Sequence, residues 1–134
     1  MVVEELLLKE TILSVQSLKK YFPIQRTFIE NLVKKETQYV RAVDDVTFNI
    51  ERGEVFGLAG ESGSGKTTIG RLILRLAEPT AGKILFNGVD LESLQGEEFR
   101  RFRRKMQVIF QDPYASLNPR MKIGDAIGHP LEIH

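Results

Sequence analysis

The chain has 134 residues, enough for one domain that buries about two-thirds of its unfolded surface, and its 42% hydrophobic and 28% charged residues exclude disordered, collagen-like and mucin-like classes. With 19 Lys and Arg against 18 Asp and Glu, the net charge of +1 sets up no global field for nucleic acid or anionic lipid. There is no Cys for disulfides, thiolate metal sites or Cys nucleophiles. No apolar run reaches the ~18 residues that cross a bilayer, and Glu4 and Glu5 do not make the basic start of a signal peptide, so a soluble intracellular chain is expected.

Thr11 to Val15, rich in β-branched and aliphatic residues, predicts a strand, followed by Leu18 to Phe22 and closed by Pro23. Residues 24–38 show no period and predict an exposed insertion, with room for a short helix near Phe28 to Val33. Val46, Phe48 and Ile50 alternate with Thr47 and Asn49, the pattern of a half-buried strand, and Glu51 to Glu54 turns the chain. Val55 to Ala59 is apolar throughout, as a central strand covered on both faces would be. Ile69, Leu72, Ile73 and Leu76 then fall at helical spacing, with Pro79 and Gly82 as stops.

Lys83 to Phe86 predicts another strand, ended by the turn signal Asn87-Gly88. A second helix is expected over about Gly96 to Lys105, with Glu97 and Glu98 in its first turn and Arg103, Arg104 and Lys105 in its last, complementing the helix dipole. Phe99, Phe102 and Met106 form its apolar stripe. Val108 to Phe110 predicts a short strand, and Gln111 onward a loop broken by Pro113 and Pro119.

The segment Gly60-Glu61-Ser62-Gly63-Ser64-Gly65-Lys66-Thr67 satisfies G-x-x-x-x-G-K-[ST] between an expected strand and an expected helix. Gly60, Gly63 and Gly65 allow positive φ and close approach, so successive N–H groups converge on a phosphate. The helix beginning near Lys66 adds its N-terminal partial charge. Lys66 would reach the β- and γ-phosphates, the Thr67 hydroxyl would ligate Mg²⁺, and Thr68 would donate to the α-phosphate. A plain turn would not need three glycines, a lysine and two hydroxyls in this register, but the motif alone does not choose among kinases, GTPases and ATPases. No N-K-x-D guanine reader is present, and the D-x-x-G match at Asp125 to Gly128 follows no apolar strand. Gln111 separates Val108-Ile109-Phe110 from Asp112, so no Walker B carboxylate is evident.

With Ala42 to Glu54 (AVDDVTFNIERGE) before it and Val108 to Arg120 (VIFQDPYASLNPR) after it, this loop resembles that of the ATP-binding subunit of ABC transporters, in the oligopeptide and dipeptide importer branch. The resemblance implies an α/β, P-loop NTPase fold of the ABC type with an antiparallel β subdomain. It makes residues 1–134 the N-terminal portion of that domain, with an insertion at 24–38, Walker A at 60–68 and the Q-loop region at 108–120. It further implies that Gln111 is the Q-loop glutamine, catalytic beside Lys66 and a contact of Mg²⁺ or of the attacking water, and that Phe22, or its neighbour Tyr21, stacks on adenine. ATP and Mg²⁺ are the implied cofactors, held by Phe22 and Gly60, Glu61, Ser62, Gly63, Ser64, Gly65, Lys66, Thr67 and Thr68.

The implied partners are transmembrane permease subunits and a second ATP-binding subunit, in a homo- or heterodimer. The location would be peripheral, at the cytoplasmic face of the membrane and touching it only through the permease, with no nucleic acid. The signature loop, the Asp-Glu pair and the switch histidine do not occur before His134. The chain is therefore expected to stop short of these motifs, to be inactive alone, and to expose strand edges that invite self-association. A rival reading, nucleic-acid binding, rests on Arg100, Arg101, Arg103, Arg104 and Lys105, which read better as a solvated helix end.

Overall fold

The computed structural model describes residues 10–24, 38–112 and 118–133. The helix expected near Phe28 to Val33, with most of the 24–38 insertion, lies outside the described residues, as do positions 113–117 of the Q-loop region. The chain forms two units, Met1–Ser93 and Leu94–His134.

The first unit is built on β1 (Thr11–Pro23), β2 (Tyr39–Glu51), β3 (Ala81–Phe86) and β4 (Val89–Asp90), in one antiparallel sheet of order β2-β1-β3-β4. β1 is longer than its apolar run because it pairs on both sides, with β2 and with β3. Its inward positions are Leu13, Val15 and then Leu18. That change of parity comes from an irregularity between Val15 and Leu18, where Ser17 takes φ +45° and donates its N–H to Thr47 Oγ1 at 2.8 Å. The inserted residue turns Leu18 rather than Ser17 into the core.

Val43, Ile84, Phe86 and Leu91 complete the sheet side of this core. Against β2 packs α1 (Lys66–Ile73), which buries Ile69 and Leu72. Asn87-Gly88 makes the expected two-residue turn, with φ +50° and +74° and Leu85 opposite Asp90. At the same end of the sheet, Arg52 binds both carboxylate oxygens of Glu10, at 2.8 and 3.2 Å, and its N–H donates to the Glu10 carbonyl.

Three expectations need correction. The segment Val55 to Ala59 forms no strand, and Val55 is 97% exposed. An all-apolar strand requires neighbours on both sides that accept from its N–H groups and donate to its C=O groups, and among the described residues none pairs with it. Phe56 is instead stacked on Phe48 at 4.8 Å. Val108 to Phe110 is likewise unpaired, with Ile109 96% exposed. Finally, α1 ends at Ile73, well before Pro79. Arg75 adopts φ +50°, its N–H bonds to the Leu72 carbonyl and that of Leu76 to the Arg71 carbonyl, a Schellman closure without glycine.

In the second unit, α2 (Gly96–Arg103) matches the expected helix, and Phe99, Phe102 and Met106 are half-buried along one stripe. A further helix, α3 (Ile123–Ile133), occupies part of the expected loop. Its signal was Ile123, Ile127 and Leu131 at four-residue spacing, masked by Gly124, Gly128 and Pro130.

Across β1 and β2, Tyr21 faces Arg41 in register. The Tyr21 hydroxyl donates to Asp44 Oδ1 at 2.5 Å, Arg41 Nη1 donates to Asp44 Oδ2 at 3.3 Å, and the guanidinium lies 5.5 Å from the Tyr21 ring centroid. The bond from Tyr21, helped by Arg41, lowers the Asp44 carboxyl below its usual range, and the same bond raises the Tyr21 phenol above its own. A depressed carboxyl stabilises the fold above its unfolded pKa and loses that effect as pH falls through the folded one; a raised phenol stabilises below its unfolded pKa and loses the effect as pH rises.

Two outcomes follow for the isolated protein. Replacing fully buried Leu18 by Ala is expected to cost about 2–5 kcal/mol in denaturant unfolding. Melting temperature should show a plateau between about pH 5 and 9 with decline on both sides, and Asp44→Asn should shrink both limbs, leaving on the acid side the share of Glu10, whose carboxyl Arg52 also holds below its usual range.

Candidate nucleotide-binding site

The phosphate loop enters α1 through Gly65, whose φ of +91° is left-handed and whose carbonyl accepts the Ile69 N–H at 2.9 Å. A Cβ at this position would lie 2.2 Å from the Ala42 carbonyl oxygen, so only glycine lets the loop close against β2. Gly63 is left-handed as well, at φ +81°, and Gly60 has φ +154°. Between them a turn forms in which the Ser64 N–H donates to the Glu61 carbonyl at 3.2 Å.

Lys66, the first residue of α1, folds back over this loop. Its Nζ donates to the carbonyl oxygens of Gly60 at 2.7 Å and Glu61 at 2.5 Å, and to Ser64 Oγ at 3.1 Å. An ammonium has three donors, and all three are engaged, so the cation lies at the focus of the loop. The N–H groups of Lys66, Thr67 and Thr68 open the helix and have no acceptor within it. Together they make a positive concavity, a cation plus outward-directed amides, of the kind that receives a phosphate chain. Thr67 is exposed at its rim and Thr68 half-buried; Glu61, Ser62 and Ser64 are exposed.

Phe22 stands opposite Val40 in the β1–β2 register, and Ala42, on which Gly65 closes, lies two residues further along β2. About 7 Å of strand separates those two points, which brings the ring and the loop to one stretch of sheet. Phe22 is 43% exposed. Tyr21, in contrast, is half-buried and held by Asp44 and Arg41. Of the two aromatics, Phe22 is the one with an accessible ring. Arg41 and Asp44 were not singled out from the sequence, because cross-strand partners depend on register, which the loop between β1 and β2 hides.

Gln111 belongs to the second unit, where it is exposed and lies outside helix and strand. Three basic residues in and just after α2 have partners close by: Arg100 pairs with Glu97 at 3.0 Å, Arg103 lies 5.2 Å from the Phe99 ring and Lys105 5.2 Å from that of Phe102. Among the described residues, no three His, Cys, Asp or Glu side chains gather as a metal cage, and no helix is long and apolar enough to cross a membrane.

Comparison with known proteins fits this geometry. The chain is 51% identical over 122 residues to a Brucella ovis protein named for peptide import and ATP binding, covering 91% of this chain and 35% of the relative. It is 45% identical over 127 residues to the oligopeptide transport ATP-binding protein AppF of Bacillus subtilis, covering 94% and 37%. It thus spans about a third of the length of the curated relatives it matches. Among solved structures, a dimeric ATP-binding cassette in a post-hydrolysis state, bound to ADP and Pi, superposes with a TM-score of 0.56 at 25% identity, over 69% of this chain and 35% of that one. The family model for the ABC transporter matches residues 43–131, most of the chain and all of the phosphate loop, and the chain accordingly belongs to the ABC transporter family.

Proposed function

We propose that this chain is the phosphate-binding portion of an ATP-binding subunit that couples MgATP binding and hydrolysis to import of peptides or similar small solutes. The observation that carries this reading is the loop of residues 60–68, closed on β2 through Gly65, with the Lys66 ammonium at its focus and the first amides of α1 directed outward. The names of the relatives support the transport role.

In this reading Lys66 exchanges loop carbonyls for β- and γ-phosphate oxygens, which compensate its charge better than neutral carbonyls do. The amides of residues 63–68 receive the remaining oxygens, and Phe22 supplies an apolar face for the adenine. The Thr67 hydroxyl is a hard oxygen ligand of the kind Mg²⁺ takes, and Mg²⁺ favours few protein ligands combined with water and phosphate. When bound, Mg²⁺ would neutralise charge on the β- and γ-phosphates.

Gln111 is assigned to the Q-loop, sensing nucleotide state and contacting Mg²⁺. Hydrolysis would need a general base and a signature loop that are not in this sequence, so the 134-residue chain alone should turn over ATP negligibly. The working assembly would pair this subunit with a second ATP-binding subunit and with transmembrane permease subunits, at the cytoplasmic face of the membrane.

Calorimetry of MgATP binding to the complete subunit tests the reading. Lys66→Ala should weaken binding at least about tenfold, equivalent to about 1.4 kcal/mol, while its melting temperature stays close to wild type. Unchanged affinity in that variant would remove the phosphate-loop assignment.

A further inference from the structure

The end of β1 is anchored from outside the sheet. Lys20 Nζ donates to the Glu78 carbonyl oxygen at 2.6 Å and lies 5.0 Å from the centroid of the Phe22 ring. Beside it, the Tyr21 N–H donates to Thr80 Oγ1 at 2.9 Å and the Thr80 N–H to the Lys19 carbonyl at 2.7 Å. Glu78 and Thr80 belong to the connection from α1 to β3, so the helix that opens with the phosphate loop and the strand that carries Phe22 are tied through residues 78–80.

A phenyl side chain near the exposed end of a strand has several rotamers open to it. A cation held over one face by a backbone carbonyl favours the rotamer that keeps that face turned toward it. Lys20 is half-buried and its ammonium is fixed by Glu78, so it has a defined place from which to act. Phe22 retains exposed ring surface, on which a flat heterocycle could stack.

We propose that Lys20 is the positioning residue for Phe22: its ammonium, anchored on the Glu78 carbonyl, holds the ring as a platform for the base of the nucleotide. This rests on the assignment of Phe22 to adenine made above. Lys20 touches neither phosphate nor reacting atoms in this scheme; its effect passes through the ring.

The test compares MgATP with magnesium tripolyphosphate, which has the phosphates and no base, by calorimetry on the complete subunit. The variants are Lys20→Met, Lys20→Arg, Phe22→Ala and the double variant Lys20→Met/Phe22→Ala. Lys20→Met should weaken MgATP about two- to fivefold, the range of an exposed cation–π contact, and leave tripolyphosphate unchanged. Lys20→Arg, which keeps a cation over the ring, should restore affinity, and the double variant should bind no more weakly than Phe22→Ala.

Equal weakening of both ligands by Lys20→Met would make Lys20 a through-space charge on the phosphates and overturn the inference. So would an unchanged MgATP affinity in Lys20→Met when Phe22→Ala is impaired, an outcome that leaves the stacking assignment standing. If Phe22→Ala itself binds MgATP as wild type does, the stacking assignment falls and the positioning role falls with it.

Discussion

A single steric condition supports the site: the last glycine of the phosphate loop lies against the carbonyl of Ala42, where a Cβ would stand 2.2 Å from the oxygen. Because Gly65 is also the residue from which α1 starts, this approach determines where the helix axis begins and therefore where its first amides point. It also ties the loop to β2, the strand whose other partner residues face Tyr21 and Phe22. The phosphate loop and the aromatic are thus linked through one short piece of backbone.

The loop itself is organised around a cation. With its three donors directed at Gly60, Glu61 and Ser64, Lys66 gives a segment rich in glycine and serine an internal centre, which offsets part of the entropy such a segment loses on ordering. Carbonyl and hydroxyl partners are neutral, so the positive charge is satisfied geometrically but not compensated electrostatically. That imbalance favours an anion in the concavity. The same logic explains why an acidic residue, Glu61, can sit in the loop: it contributes its carbonyl to the cation, and its side chain is exposed.

The two segments with the strongest strand signal by apolarity, Val55 to Ala59 and Val108 to Phe110, are the ones without strand pairing. Sheet formation is a property of pairs, and an apolar run has no ladder until another strand lies beside it. The antiparallel strands formed because they supply one another: β1 finds β2 and β3 within the same unit. The chain spans about a third of the length of the relatives it matches.

Read alone, the sequence established the phosphate loop, the alternation of β2, the Asn87-Gly88 turn, the α2 stripe and the family resemblance. All of these are encoded within a few consecutive residues, by glycine placement, periodicity or motif spacing. What only the tertiary structure decided depends on residues far apart in the chain. The irregularity at Ser17 that turns Leu18 inward, the choice of Phe22 over Tyr21 as the accessible aromatic, and the Lys20 anchor on Glu78 are of this kind. Each depends on register or on a carbonyl brought in from another segment, and local sequence carries no record of which distant backbone group will arrive.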